Sequence, residues 1–253
     1  MHLAFRLGLI ALLLYATACL AMFVFQRALV YFPQPRAHGG PADTLRLPVN
    51  GAELVVSVRP HAGPKALLYF GGNAEDVSIN LQPFSAAFPD HAIYLLHYRG
   101  YGGSSGKPTE AALHADAQVL FDQVQQSHPD IAVVGRSLGS GVAIHLARAR
   151  PVARLVLVTP YDSVAAIGAQ RYPYFPVRWL LTDTFESLRW APAIQVPTLL
   201  LVAQTDTVVP RAHTDRLAAA FAPGVATAIV VPGTDHQTIS HAAQYLQAMR
   251  AAL

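Results

Sequence analysis

Cysteine and charge are both scarce in this 253-residue sequence. A single cysteine excludes a disulfide framework and any cysteine-rich zinc or iron–sulfur site. Asp, Glu, Lys and Arg together make up 13% of the chain, against an apolar fraction of 53%. That balance excludes a disordered chain and places part of the apolar excess in a membrane. Acidic residues are missing from the first 36 positions, where Arg6, Arg27 and Arg36 carry the charge. The rest of the chain holds 15 basic and 15 acidic residues, so the net charge of +3 sits at the N-terminus and the body is neutral. A neutral body argues against a phosphate-tracking surface, and no nucleic-acid partner is expected. The sequence has no internal repeat and no low-complexity tract.

From Leu7 to Phe25 nineteen residues carry no charge. As a helix they rise about 28 Å, close to the hydrocarbon thickness of a bilayer. A cleaved signal peptide competes with this, because Ala16-Thr17-Ala18-Cys19 has the look of a signal or lipoprotein cleavage site. The apolar residues from Leu20 to Phe25 beyond it favour an uncleaved, single-pass anchor. Arg6 on one side and Arg27 and Arg36 on the other set the orientation only weakly, with the periplasmic face favoured for the body. The expected organisation is an anchor over residues 1–30, a Pro- and Gly-rich linker over 31–43, and one domain over 44–253. A chain beginning near Arg36 is expected to be soluble and active.

Apolar, β-branched runs bounded by turn residues predict eight strands: Leu45–Val49, Leu54–Arg59, Ala66–Phe70, Ala92–Tyr98, Ile131–Val134, Arg154–Val158, Thr198–Val202 and Ala228–Val231. The middle runs are continuously apolar, as in strands buried on both faces. Helical patterns fall between them at Val77–Phe88, Glu110–Ser127, Leu138–Arg148, Arg211–Phe221 and His236–Ala252. Two strands followed by βαβ repeats imply a mostly parallel eight-stranded sheet with helices on both faces, an α/β fold. Residues 160–196 break the rhythm with many aromatics and no clear strand, which suggests a lid or acyl-pocket insertion lined by Tyr174, Phe175 and Trp179.

Four segments carry chemistry. Gly135-Arg136-Ser137-Leu138-Gly139 joins a buried strand to a helix. In that context Gly-x-Ser-x-Gly presents Ser137 as a nucleophile on a tight turn, with the Leu138 N–H beside it. Gly71-Gly72-Asn73 ends an early strand, where Asn73 or Ala74 would supply a second N–H to an oxyanion, with a capped turn as the alternative. Asp206 follows a buried strand and His236 follows the last one, giving the chain order Ser…Asp…His. Asp162 also follows a strand and rivals Asp206 as the acid, although a helix cap explains it. Gly102–Thr109 resembles a P-loop but has Tyr101 and Pro108 where that template needs Gly and Ser or Thr. His236 and His241 lie five apart, which excludes a two-histidine helical metal motif. His91 and His97 read as structural, and Asp235 as a turn residue.

In combination these segments resemble the α/β-hydrolase superfamily. They are most similar to the membrane-anchored alpha/beta-hydrolase-domain proteins, also described as serine aminopeptidase-like hydrolases. The resemblance rests on Tyr31-Phe32-Pro33 after the anchor, Gly72-Asn73-Ala74, the Tyr98–Glu110 stretch (Tyr-Arg-Gly-Tyr-Gly-x-Ser-x-Gly-x-Pro-x-Glu), the Gly-x-Ser-x-Gly elbow, Pro160–Ser163, Asp206 and His236. The family usually carries His where this chain has Gly71. The resemblance implies Ser137 as nucleophile, His236 and Asp206 as its partners, Asn73 and Leu138 backbone N–H groups as oxyanion donors, and no metal or organic cofactor. It implies cleavage of acyl esters or thioesters, lipids or lipidated molecules included. An amidase or peptidase using the same triad, and a catalytically silent tethered binding module, are the competing functions.

Overall fold

The computed structural model describes residues 2–253. Eight strands form one sheet: β1 Thr44–Val49, β2 Ala52–Arg59, β3 Lys65–Phe70, β4 His91–Leu96, β5 Asp130–Arg136, β6 Arg154–Val158, β7 Thr198–Ala203 and β8 Ala226–Val231. Their order across the sheet is β1-β2-β4-β3-β5-β6-β7-β8. The β1–β2 and β2–β4 pairs are antiparallel and every later pair is parallel. The helices are α1 His2–Val30, α2 Leu81–Ala87, α3 Glu110–Gln125, α4 Leu138–Ala149, α5 Val164–Arg171, α6 Val177–Leu180, α7 Ser187–Trp190, α8 Arg211–Ala220 and α9 Ala243–Ala252.

Strand pleating sends alternate residues into two cores. Ala66, Leu68 and Phe70 of β3 join Leu120 of α3, Val142 of α4 and Leu217 of α8 on one face. Leu67 and Tyr69 join Phe84 of α2 and Met249 of α9 on the other. Because the parallel strands are covered on both faces, each needs a continuous apolar run, which is how they read in the sequence. The edge strand β8 differs, with Ile229 and Val230 well exposed. The final helix starts at Ala243 and not at His236, because Asp235 folds the chain after β8 into a turn by accepting from the Gln237 and Thr238 N–H groups.

Helix α1 is long and apolar enough to cross a membrane. One stripe of it packs on the insertion between β6 and β7. Tyr15 donates to the Tyr174 carbonyl at 2.9 Å and stacks on Phe175 at 5.9 Å. Gln26 is buried and nearly saturated: its amide nitrogen donates to Phe23 and Leu180 carbonyls, and its oxygen accepts from the Thr182 N–H and hydroxyl. Asp183 completes the clamp, accepting from Arg27 at 3.2 Å and from the buried Tyr31 hydroxyl at 3.0 Å. Burial first, and then the Asp183 carboxylate, hold the Tyr31 phenol well above its ordinary pKa.

Asp183→Ala leaves the Tyr31 hydroxyl buried without its acceptor, so it should cost about 1–3 kcal/mol. For a chain of this size that lowers Tm by roughly 2–4 °C per kcal/mol, measurable by circular dichroism of the detergent-solubilised protein.

Candidate active site

The carboxyl ends of the parallel strands supply the site, as expected for an open α/β sheet. Ser137 lies between β5 and α4 with φ 49° and ψ −118°, a conformation in which non-glycine residues are strained. The surroundings fix it there. Its N–H donates to the Val158 carbonyl at 2.9 Å, and its carbonyl accepts from the Ser140 hydroxyl at 2.7 Å. The flanking glycines are required by space: a Cβ at Gly139 would strike the Phe70 carbonyl, and one at Gly135 would strike Gly139 and lie 2.6 Å from the Ala143 Cβ.

His236 bridges two partners. Its Nε2 is 2.9 Å from the Ser137 hydroxyl, and its Nδ1 is 2.8 Å from the Asp206 carboxylate. A carboxylate only accepts, so Nδ1 carries the proton and Nε2 is the acceptor for Ser137. The other Asp206 oxygen accepts from Val208 and Val209 N–H groups at 2.9 and 2.7 Å, which aims the carboxylate. The rival acid Asp162 is committed elsewhere: to His213 at 2.7 Å, Arg216 at 2.8 Å and the Ser163 N–H at 2.6 Å. It does not cap α5 either, because the Ser163 hydroxyl does so through the Ala166 N–H.

Leu138 and Asn73 line the same cavity as Ser137, whereas Ala74 does not. Among the described residues, neither the Leu138 nor the Asn73 backbone N–H donates to another protein atom. The Gly72 N–H is occupied, donating to Glu75 at 2.6 Å. At Gly71 a Cβ would collide with Val77, so the histidine usual in the family has no room here.

Several residues that sequence reasoning missed position these groups. Glu75 accepts from Arg136 at 3.0 Å, Tyr69 at 2.7 Å and Asn80 at 2.7 Å. Arg136 in turn donates to the His236 carbonyl at 3.0 Å. Burial works against the Arg136 charge, but Glu75 and Tyr69 outweigh it and raise its pKa. Tyr98 and Tyr101 donate to the Gly71 and Asn73 carbonyls at 2.9 and 2.7 Å, which gives the Tyr-Arg-Gly-Tyr stretch its structural task. The available signal was a charged residue at the variable position of Gly-x-Ser-x-Gly in a charge-poor chain.

Above Ser137 lies a mostly apolar cavity of about 240 Å³. Ile167, Val177, Leu180 and Leu181 of the insertion wall one side, and Met22, Gln26, Leu29 and Val30 of α1 wall another. The aromatic trio expected to line it does not. Tyr174 and Trp179 are 86% and 90% exposed, and Phe175 faces Tyr15 of α1. The insertion turns its aliphatic side chains inward and these aromatics outward. Among the described residues, no group of three His, Cys, Asp or Glu side chains could hold a metal ion.

No family model matches the sequence. Uncharacterized protein Rv2307c of Mycobacterium tuberculosis is 36% identical over 251 residues, covering 91% of this chain and 88% of that protein. Alpha/beta hydrolase domain-containing protein aho-3 of Caenorhabditis elegans is 28% identical over 73% of this chain and 56% of its own length. Lysophosphatidylserine lipase ABHD12 of Danio rerio is 30% identical over 57% of this chain and 44% of its own length. Among solved structures, the Pyrococcus furiosus esterase Pf2001 superposes with a TM-score of 0.71 over 88% of this chain and 98% of its own, at 16% identity, which shows a shared fold.

Glu75→Ala leaves Arg136 buried and unpaired and should cost about 3–5 kcal/mol. Asp122→Ala, which breaks the more exposed pair with Arg150, should cost about 1 kcal/mol or less. Thermal melts of the two variants in one detergent test the contrast.

Proposed function

The chain belongs to the α/β-hydrolase superfamily, and from that premise we propose that it is a membrane-anchored serine hydrolase acting on acyl esters or thioesters. The observation that carries this reading is the His236 bridge between Ser137 and Asp206 at the base of an apolar cavity. In the proposed reaction Ser137 Oγ attacks the acyl carbonyl while His236 Nε2 takes its proton. Asp206 holds the imidazole tautomer and stabilises the imidazolium. The Asn73 and Leu138 N–H groups face the developing oxyanion from the loop after β3 and from the start of α4. His236 then protonates the leaving oxygen or sulfur. A water deprotonated by His236 attacks the acyl-enzyme, releasing the acid and restoring Ser137.

The cavity supports an apolar acyl group, since its walls are mostly Ile, Leu, Met and Val side chains, with Tyr161, Tyr172, Gln26 and Arg171 among the rest. The zebrafish relative carries the name of a lysophosphatidylserine lipase, which makes single-chain phospholipids one substrate class to assay. Anchoring through α1 is supported by its length, its apolarity and the absence of acid around it. Because α1 also walls the cavity, a chain beginning at Arg36 loses part of its acyl site along with its anchor.

A fluorophosphonate probe should label the wild type and fail to label Ser137→Ala. Asp206→Asn should lower kcat by roughly 10⁴ while the protein stays folded. Asp162→Asn should retain most turnover and lose about 1–3 kcal/mol of stability through its contacts with His213 and Arg216. Probe labelling that survives Ser137→Ala, or kinetic losses reversed between the two aspartates, contradicts the assignment. Across a p-nitrophenyl ester series, Met22→Ala and Leu180→Ala should depress kcat/KM for long acyl chains more than for acetyl. Equal losses at every chain length would rule out an acyl role for this wall.

A further inference from the structure

We propose that the strap from Tyr172 to Leu181 lies inside the bilayer leaflet alongside α1, so that the cavity over Ser137 is filled sideways from the lipid. The inference rests on the reading of α1 as a membrane helix and adds to it a depth for the strap. The argument starts from register. The strap meets α1 at Tyr15 through Tyr174 and Phe175, and at Gln26 through Leu180 and the adjoining Thr182. Eleven residues of helix separate those two contacts, about 16 Å along the axis. Tyr15 lies near the middle of the uncharged run from Leu7 to Phe25. If that run occupies the hydrocarbon, Tyr174 sits about 15 Å below the level of Phe25, close to the bilayer midplane.

The strap's surface suits that environment. Its sequence from Tyr172 to Thr182 contains no acidic side chain and a single cation, Arg178. Trp179, 90% exposed next to the Leu180 contact with Gln26, belongs to a residue type concentrated at membrane interfaces, and Tyr174, 86% exposed, is an uncharged aromatic. Arg178 is exposed beside Trp179, and its long stem allows the guanidinium to reach the headgroup layer. Asp183, the first acid after the strap, is neutralised by Arg27 and buried, at the end of α1 where the helix leaves the apolar run.

The cavity connects this surface to the chemistry. Met22 lies within the uncharged run and lines the same cavity as Ser137. The site therefore reaches to a helix position at bilayer depth. An acyl chain can pass from the leaflet between α1 and the strap without crossing water, with its ester carbonyl arriving at Ser137.

Depth-dependent fluorescence quenching tests this. The chain has two tryptophans, so Trp190→Phe leaves Trp179 as the reporter. The full-length variant, also carrying Ser137→Ala so that turnover plays no part, is placed in phosphatidylcholine vesicles whose acyl chains are brominated. Flotation of the vesicles is scored in the same samples. The expected result is co-flotation, a severalfold loss of Trp179 emission in brominated lipid, and little quenching by aqueous iodide. Co-flotation with Trp179 quenched by iodide and untouched by bromine overturns the immersed strap and leaves the anchor standing. Failure to float removes the anchor reading and this inference with it. Trp190 packs against His114 and His145, so if Trp190→Phe does not fold, the difference in emission between Trp179-containing chain and Trp179→Phe gives the same readout.

Discussion

One buried ion pair, Glu75 with Arg136, ties together the three loops on which the site depends. Glu75 lies in the loop after β3 and accepts the Gly72 N–H, which fixes the backbone just before Asn73. Arg136 is the last residue of β5 and directly precedes the strained Ser137. Its second nitrogen holds the carbonyl of His236, a residue that follows a different strand. A single connected set of charge-assisted hydrogen bonds therefore sets the loop after β3, the Ser137 turn and the His236 loop relative to one another. In a low-dielectric environment such a set is rigid when complete and costly when broken. The strain stored at Ser137 persists because this frame, together with the close approach of Gly139 to Phe70, leaves the turn no alternative.

The β-strand pattern was legible because burial on both faces demands unbroken apolar runs, and such runs are visible in a single sequence. The elbow was legible for a related reason: two glycines at a close backbone approach have no substitute. The order of Ser137, Asp206 and His236 was also readable, and the structure brings those three side chains within hydrogen-bond distance. Choosing between Asp206 and Asp162 rested on chain order and on a helix-cap role for Asp162, which the Ser163 hydroxyl fills instead. The physical difference lies in their surroundings. Val208 and Val209 N–H groups orient Asp206, whereas His213 and Arg216 from α8 claim Asp162. The Val208 and Val209 donors follow Asp206 directly as a local turn, but His213 and Arg216 lie 51 and 54 residues from Asp162, a separation no local pattern reveals.

The lining of the cavity was illegible for a different reason. Aromatic density in the insertion suggested a pocket wall, yet Tyr174 and Trp179 face outward. Composition reports how apolar a segment is, and not which side of it meets the core. Single outward aromatics are ordinary on a protein surface, so composition gives no warning of them. The participation of α1 in the cavity could not be read either, because it depends on Gln26 meeting Thr182 across a separation of 156 residues.

The scarcity of charge in this chain acquires a structural meaning from these contacts. Asp183 joins Arg27, Asp162 joins Arg216, Asp116 accepts from Nε and Nη2 of Arg99, and Glu75 takes Arg136. In each pair the acid is almost wholly buried and the two partners come from different segments: insertion to α1, β6 end to α8, α3 to the Tyr-Arg-Gly-Tyr loop, and the loop after β3 to the Ser137 turn. Backbone hydrogen bonds and apolar packing hold the sheet, where strand register already fixes every neighbour. Loops have no register, and apolar packing is non-directional, so it cannot fix one loop against another with the precision of a bidentate or multiply shared carboxylate. These four pairs are placed where direction is needed, between loops and elements that no register fixes, whereas pairs such as Arg150–Asp122 and Arg211–Asp215 lie on the outer surface. The result is a hydrogen-bonded rim beneath an apolar cavity whose far wall is the long apolar helix α1.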